Sequence, residues 1–233
     1  YGESEPEALD IDSTYILDTF RVDGDFTSPD TRAFRYVYVV PDEEASFEVS
    51  MLEEYLPVEN QGAFSCDDEV LNKIYDVALH TLHLNTREFF LDGIKRDRWV
   101  WSGDATQDYL LNFYSFCDNE ICKRTMRLLR GKDPVKKHMN TIQDYTLYWF
   151  ISLYDYYLYT GDEAFVREMY PKAVGLMDFV YGSVDERLFF NARPYDWVFV
   201  DWADLNNQGD ISFIQLLFSR ALELMSKMAR LCG

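Results

Sequence analysis

The chain has 233 residues, of which 48% are hydrophobic and 17% aromatic, which is ample for one sizeable core. Its formal net charge of −19 opposes binding to nucleic acid or to an anionic membrane surface, because both are recognised through concentrated Lys and Arg. No apolar run approaches the roughly 18 residues of a spanning helix, and no signal peptide opens the chain. We therefore expect a soluble protein with no nucleic-acid or membrane partner. Cytoplasmic, periplasmic and secreted locations all stay open.

The first sixty residues are predicted to form antiparallel strands. Segments 14–20 and 45–52 alternate partly between apolar and polar residues, and segment 33–40, AFRYVYVV, is aromatic and β-branched. The connections VDGDFTSPDT and VPDEE have the composition of turns. Three strands form an incomplete sandwich, so they would expose an apolar face unless they pack on the following domain or on further strands.

From Ser65 onward the apolar residues recur at the spacing of helices. Ser65 and Asp68 form a capping-box pattern that predicts the start of the first helix. Gly161 is expected to end one helix and Asp162 to cap the next, which makes an αα-hairpin. The further predicted helices are 105–117, 119–130, 144–160, 163–181 and 211–231.

The predicted helix 144–160, DYTLYWFISLYDYYLYT, is apolar or aromatic almost all round. A helix of this kind, short for a membrane and carrying two aspartates, is normally buried between helical layers. The inner layer of a double-layered α/α barrel is such an environment. A barrel of that type needs about twelve helices, and this chain supplies about half of them.

Neither the cysteines nor the histidines predict a metal site. The cysteines have no CxxC spacing and the histidines no HExxH pattern, so we interpret them as buried thiols and structural histidines. No cofactor and no metal are predicted. The residues concerned are Cys66, Cys117, Cys122, Cys232, His80, His83 and His138.

The segment 91–108, LDGIKRDRWVWSGDATQD, interleaves carboxylates with indoles. A buried carboxylate without partners is costly, so a segment built only to fold would separate the two. The mixture suits a pocket for polyhydroxylated ligands, with flat faces for sugar rings and carboxylates for hydroxyls and proton transfer. A solvated charged loop above buried tryptophans fits the local chemistry equally well. Gly93 and Gly103 predict a structured loop that enters a helix near Ala105.

This segment resembles the signature of bacterial α-L-rhamnosidases of glycoside hydrolase family 78. In that signature an Asp starts the loop, an acidic residue follows about five or six positions later and Trp-x-Gly-Asp ends it; here Asp92, Asp97 and WSGD stand at those positions. Three other stretches resemble the family in the same order. They are DTRAFRYVYVV, similar to the last strands of the β-domain, GAFSCDDEVLNKIYDVALHTLHLNTREFFLDG, similar to the first barrel helix, and WVFVDWADLNNQG, similar to a Trp-rich loop that faces the sugar.

The resemblance implies a mainly α chain that contributes part of an (α/α)6 six-hairpin glycosidase barrel. Residues 1–60 would be the last strands of a β-sandwich domain with a connector, and residues 61–233 the first half of the barrel. The implied activity is inverting hydrolysis of terminal α-L-rhamnosides, with a carbohydrate substrate as partner. The fragment alone is expected to be inactive, and an uncovered apolar inner helix favours its self-association.

The resemblance also implies roles for particular residues. Asp97 would be the catalytic general acid, and the family's base is a glutamate from the later half of the barrel, beyond Gly233. Asp201 and Asp204 could mimic a base within this chain. The implied sugar-binding residues are Asp92, Arg96, Trp101 and Asp104 in the first segment and Trp197, Asp201 and Trp202 in the later loop.

The chain departs from the family at the acid position. Many members carry a glutamate there, often within Arg-Asp-Glu-Arg, whereas this chain reads KRDRW. The basic neighbours Lys95, Arg96 and Arg98 favour ionised Asp97, opposite to what a general acid requires. Either burial and the other aspartates outweigh these charges, or Asp97 only binds. Two alternatives stay open: a glycosidase of the same architecture for another terminal sugar, and a non-catalytic carbohydrate-binding relative.

Overall fold

The computed structural model describes residues 18–34, 36–94 and 97–233. By its contacts the chain divides into two units, Tyr1–Arg32 and Ala33–Gly233. In the described part of the first unit, Arg32 forms ion pairs with Asp18 at 3.1 Å and with Asp30 at 3.2 Å. The second unit contains all the helices described below.

The predicted strands are not formed in the part of the chain that the structure describes. Segments 33–40 and 45–52 are irregular and largely exposed, and most of segment 14–20 lies outside the described residues. A strand needs a neighbour that accepts and donates its ladder hydrogen bonds, and residues 36–68 form no such ladder in the described structure. Large apolar side chains therefore stay in solvent, among them Val37, Val40, Phe47 and Leu52.

Six helices are present in the described residues, as the sequence predicts. Their bounds are Glu69–Asn85 (α1), Ser102–Tyr114 (α2), Asn119–Arg130 (α3), Gln143–Thr160 (α4), Glu163–Tyr181 (α5) and Ser212–Cys232 (α6). A single 3₁₀ turn, Met139–Thr141, precedes α4. None of these helices is both long enough and apolar enough to cross a membrane.

The first helix begins later than the predicted capping box. Asp68, not Ser65, is its N-cap, and its side chain accepts hydrogen bonds from the backbone N–H groups of Val70 and Leu71. Cys66 is held outside the helix because its backbone N–H and C=O bond to the side-chain amide of Asn72. The expected αα-hairpin between α4 and α5 is confirmed. Gly161 ends α4 in the left-handed conformation, and the side chain of Asp162 caps α5.

The helices pack around one internal helix, α4. Helix α4 lies at the centre and packs most extensively on α6 and α2. Its side chains are buried on nearly all sides, as its sequence predicts; Leu147, Phe150 and Leu153 are fully covered. Helices α3 and α5 pack behind it and are joined by the Arg127–Glu168 ion pair, whose two hydrogen bonds are both 2.7 Å long.

The cysteines and histidines are mostly structural. Cys122 is fully buried, which raises the pKa of its thiol, whereas Cys117 is exposed, so the prediction of a buried thiol was wrong there. His138 is buried beneath the loop before α6. Its Nδ1 lies 2.9 Å from the Thr146 hydroxyl, and burial lowers its pKa. No three His, Cys, Asp or Glu side chains of the described residues are placed to hold a metal ion.

Candidate active site

The N-terminal end of α2 is anchored by Asn140, which immediately precedes α4. The Asn140 side-chain oxygen accepts a hydrogen bond from the Ser102 backbone N–H at 3.0 Å, and its Nδ2 donates to the Val100 carbonyl at 3.0 Å. Asn140 has a φ of 52°, a left-handed conformation that asparagine tolerates well. Helix α2 therefore begins at Ser102, and the expected start near Ala105 was wrong by one turn. As a result Asp104 lies in the first turn of the helix rather than in the preceding loop.

Asp92 closes the base of the loop that carries the acid candidate. Its backbone N–H donates to the Trp99 carbonyl at 3.0 Å, and its Oδ1 accepts from the Trp99 N–H at 3.0 Å. The side chain of Asp97 is exposed on this loop, next to Arg98, which has a φ of 48°. Arg96 lies outside the described residues. The two hydrogen bonds between Asp92 and Trp99 thus join the ends of the loop that carries Asp97.

Asp104 is held against the first turn of α4. The hydroxyl of Tyr145 donates a hydrogen bond to its Oδ2 at 3.1 Å. This contact needs a glycine at position 103, because a Cβ there would lie 2.4 Å from Cε1 of the Tyr145 ring. The half-buried Trp101 meets Tyr145 edge to face, with 6.2 Å between ring centroids. Its buried indole Nε1 has no hydrogen-bond partner among the described residues. One wall of the site therefore combines an indole, a phenol and a carboxylate.

The charges of Asp92 and Asp97 act on the carboxyl group of Asp104. Burial raises the pKa of Asp104 and the Tyr145 hydrogen bond opposes that rise, while the charges of Asp92 and Asp97 add to it. The three predicted aspartates therefore interact through their charges.

Two further carboxyl groups, in α2 and at the start of α4, were not among the predicted site residues. Asp108 lies one helical turn after Asp104, and burial, followed by the charges of Asp104 and Asp92, raises its pKa to about 7. Asp144, in the first turn of α4, is fully buried, and this burial raises its pKa to about 6. Its Oδ1 has no hydrogen-bond partner in the described structure. Burial therefore favours the protonated form of both Asp108 and Asp144, a property that proton-transfer chemistry uses. The four-residue spacing of Asp104 and Asp108 could have revealed the first of these residues.

The Trp-rich loop is attached to the same end of α4. The Trp197 N–H donates to the Thr141 carbonyl, and the Gln143 N–H donates to the Trp197 carbonyl, both at 3.0 Å. The ring of Phe199 lies 6.0 Å from Tyr145, 5.5 Å from Trp197 and 5.0 Å from Trp202. An aromatic row thus leads from the aspartates into the loop. Phe199 was not among the predicted site residues.

The predicted sugar-binding residues of this loop are exposed, and the described contacts connect only some of them to the aspartates. Trp197 and Trp202 are 42% and 79% exposed, so their flat faces are open to a ligand. Asp201 is exposed and its Oδ1 accepts the Trp202 N–H at 2.6 Å. No described hydrogen bond or ion pair links Asp201 or Asp204 to the aspartates of α2.

Helices joined by a short hairpin and packed around a buried central helix define an α/α domain. The comparison with protein families then identifies which one. Residues 59–233 match the bacterial alpha-L-rhamnosidase 6 hairpin glycosidase domain, and the chain belongs to that family. The resemblance seen in the segment 91–108 is thereby confirmed, together with the mainly helical, six-hairpin type of domain.

Individual relatives agree with this assignment. An alpha-L-rhamnosidase of Formosa agariphila is 24% identical over 204 residues, which cover 78% of this chain and 20% of the relative. The crystal structure of a GH78 family rhamnosidase of Bacillus sp. GL1 matches with a TM-score of 0.68 and 27% identity, covering 76% of this chain and 20% of that one. A rhamnosidase from Klebsiella oxytoca with rhamnose bound matches with a TM-score of 0.63 and 27% identity, covering 75% and 36%. The chain thus spans about one fifth of the curated relative.

Proposed function

We propose that this chain contributes to the inverting hydrolysis of terminal α-L-rhamnosides. The observation that carries the proposal is the cluster of Asp92, Asp97 and Asp104 beside the Trp101 and Tyr145 rings, at the N-terminal ends of α2 and α4. Membership of the rhamnosidase six-hairpin family supports it, as does the relative whose structure contains rhamnose.

In this proposal Asp97 is the general acid. It would protonate the glycosidic oxygen while a second carboxylate activates water on the opposite face of the sugar, as inversion requires. The loop closed by Asp92 and Trp99 supports this assignment, since the side chain of Asp97 is exposed on it. The second carboxylate would come from another part of a complete barrel.

The sugar would be bound by the groups around Asp97. A carboxylate accepts hydrogen bonds from sugar hydroxyls, and an indole packs on the apolar face of a pyranose. Charged Asp92 and Asp104 fit the first role and Trp101 the second. We assign the same kinds of contact to Arg96 and, in the later loop, to Trp197, Asp201 and Trp202.

The acid role is tested with Asp97→Asn in an enzyme that contains the complete barrel. Hydrolysis of alkyl or natural rhamnosides should fall by at least about 100-fold, because their leaving groups need a proton, whereas p-nitrophenyl α-L-rhamnoside should be much less affected. Asp67→Asn, an exposed aspartate before α1, is the matched control and should behave like the parent. Equal losses on both kinds of substrate would assign Asp97 to binding alone.

The nature of the sugar is tested on the same enzyme. Release of p-nitrophenol from α-L-rhamnoside, with little release from the corresponding glucosides and glucuronides, is the expected result. Preference for another glycoside would favour a glycosidase of the same architecture with a different substrate. Binding of rhamnose without release from any substrate would favour a non-catalytic relative.

We also propose that residues 1–60 belong to a β-sandwich domain and residues 61–233 to the barrel. The family match begins at residue 59, near this boundary, and the apolar side chains of 33–52 are exposed in the structure as unpaired strands would be. Slow amide hydrogen exchange in 33–40 and 45–52, measured in an enzyme with the complete sandwich, is the expected result. Fast exchange there would contradict the assignment.

A further inference from the structure

A cavity of about 380 Å³ lies between the N-terminal ends of α4 and α6 and the loop that precedes α6. Its volume is within the range of roughly 300–1,000 Å³ that small-molecule sites occupy. Four of the side chains that line it are used below: Gln143, Asp196, Trp197 and Gln215. Of these side chains, only Trp197 has been given a role so far.

Gln143 shows an unmet hydrogen-bonding requirement at the cavity. The residue is 2% exposed, and its backbone N–H is paired with the Trp197 carbonyl. Its side-chain Nε2, in contrast, is buried and has no partner among the described residues. Buried amide donors are nearly always paired, so an unpaired one next to a cavity points to a group that the cavity receives.

Asp196 supplies an acceptor at the same cavity. Its side chain is 11% exposed; Oδ2 accepts the Arg193 N–H at 2.7 Å and lies 3.4 Å from Nε2 of His138. No described hydrogen bond uses Oδ1. The carboxylate is therefore held from behind and keeps one oxygen for a ligand.

The remaining walls are fixed in place. The Gln215 side chain accepts a hydrogen bond from the Phe190 N–H at 2.9 Å and donates one to the Phe190 carbonyl at 2.8 Å. Trp197 adds an indole to the lining. A fixed donor, a fixed acceptor and a flat apolar face suit the hydroxyls and the C–H face of a sugar ring. The Asp196 charge and the net charge of −19 favour a neutral sugar over an acidic one.

We propose that this cavity binds a second, neutral pyranose ring of the substrate, the sugar to which the terminal rhamnose is attached. The inference rests on the proposed function. Its link to the aspartate cluster is structural: Gln143 and Tyr145 occupy the same turn of α4, and Trp197 reaches Tyr145 through the ring of Phe199. One end of α4 thus serves both rings of a disaccharide unit.

The test uses the indole N–H signals of the ¹⁵N-labelled chain. Trp197 reports on the cavity and Trp101 on the aspartate cluster. Titration with L-rhamnose and with D-glucose should shift the Trp197 signal with at least one of these sugars, whereas D-glucuronate should leave it in place. The shift should disappear in Gln143→Leu and persist in Asp104→Asn.

Two further variants make the result independent of folding defects. Ala192→Phe fills the exposed side of the cavity without removing a buried contact, and it should also abolish the Trp197 shift. Gln61→Leu, which replaces an exposed glutamine, should bind like the parent. Gln143→Leu should unfold at the same temperature as the parent or higher, because it removes an unpaired buried donor.

The outcomes separate this inference from the proposed function. A Trp197 signal that neither neutral sugar shifts, or a shift that survives in both Gln143→Leu and Ala192→Phe, overturns the inference. A Trp101 shift with rhamnose but no Trp197 shift leaves the proposed function standing and removes the second site. A Trp197 shift without a Trp101 shift would support a sugar site in the cavity and would contradict sugar binding at the aspartate cluster.

Discussion

The phenol of Tyr145 donates a hydrogen bond to Oδ2 of Asp104 over 3.1 Å, joining the first turns of α4 and α2. The bond has a direct electrostatic effect. Burial and the neighbouring aspartates raise the pKa of Asp104, and the Tyr145 bond opposes them by stabilising the ionised carboxylate. Tyr145 therefore helps to keep Asp104 able to accept hydrogen bonds from a sugar.

Tyr145→Phe should raise the pKa of Asp104 and weaken rhamnose binding several-fold. Losing one hydrogen bond to a charged group costs about 1.5–3 kcal/mol, and only part of this free energy affects rhamnose binding. The pKa is measured by ¹³C NMR of the aspartate carboxyls and the affinity by titration with L-rhamnose. Tyr148→Phe, one turn further along α4, is the control, because no described hydrogen bond uses its hydroxyl. An Asp104 titration that is the same in both variants would contradict the role of Tyr145.

Asp108 should make stability depend on pH near neutrality. Folding raises its pKa from 3.8 to about 7, so the folded state binds more protons than the unfolded state between these values. The contribution of Asp108 to the free energy of unfolding therefore falls as pH rises from 4 to 7 and is constant above. Asp108→Asn should be more stable than the parent at pH 8, by on the order of 2–4 kcal/mol, and should lose that advantage near pH 4.

Urea denaturation at pH 4, 6 and 8 measures this dependence. Asp67→Asn is the control, because Asp67 is exposed and its replacement should give the same small difference at each pH. A stability gain of Asp108→Asn that does not change with pH would show that the carboxyl is not protonated in the folded chain. In a complete barrel, the same variant should also remove any inflection near pH 7 from the pH dependence of hydrolysis.

The elements that were predicted well are those whose boundaries depend on neighbouring residues. Helix α3 begins where Asp118 accepts hydrogen bonds from the N–H groups of Glu120 and Ile121, and α5 begins where Asp162 caps it; both caps are local and visible in the sequence. The elements that were predicted less well depend on partners that are distant in the sequence. The start of α2 depends on Asn140, which is 38 residues away, and the predicted strands lack partners in the described chain.

The residues of the candidate site show the same contrast between local and distant causes. The aspartates of 92–104 were identified because they occupy a family signature within a single short segment. Tyr145 and Gln143 have no such signature, since the folding of α4 beside α2 and the Trp-rich loop gives them their neighbours. Likewise, the raised pKa of Asp108 comes from burial, which spacing alone does not show.

The chain of 233 residues, prepared alone, should have no appreciable rhamnosidase activity. Inversion needs two carboxyl groups on opposite sides of the sugar, and the six helices described here are half of those in six hairpins. Loss of one essential carboxylate usually lowers the rate by several orders of magnitude. Turnover of an aryl α-L-rhamnoside at a rate close to that of a complete enzyme would contradict this and would place the base within the chain, with Asp201 and Asp204 the first candidates.

Gly103→Ala and Gly175→Ala form a matched pair that tests the contact between α2 and α4. In α2 the new Cβ would lie 2.4 Å from the Tyr145 ring, so the ring must move and its bond to Asp104 is lost. In α5 the nearest atom to a new Cβ at Gly175 is 3.4 Å away, in the guanidinium group of Arg130, which is an ordinary van der Waals distance. Gly103→Ala should therefore lower the free energy of unfolding by about 1–3 kcal/mol through overpacking. Gly175→Ala should raise it by about 0.5–1 kcal/mol, because alanine is the better helix former.

Urea denaturation of the two variants measures these changes, and the carboxyl titration of Asp104 adds a reading that stability alone does not provide. Because Gly103→Ala displaces the phenol, the pKa of Asp104 should rise as it does in Tyr145→Phe, whereas Gly175→Ala should leave it unchanged. Combining Gly103→Ala with Tyr145→Phe should raise the pKa no further, since both changes remove the same hydrogen bond. If Gly103→Ala stabilised the chain as much as Gly175→Ala, the Tyr145 ring would not lie against α2, and the proposed wall of the sugar site would have to be rebuilt without it.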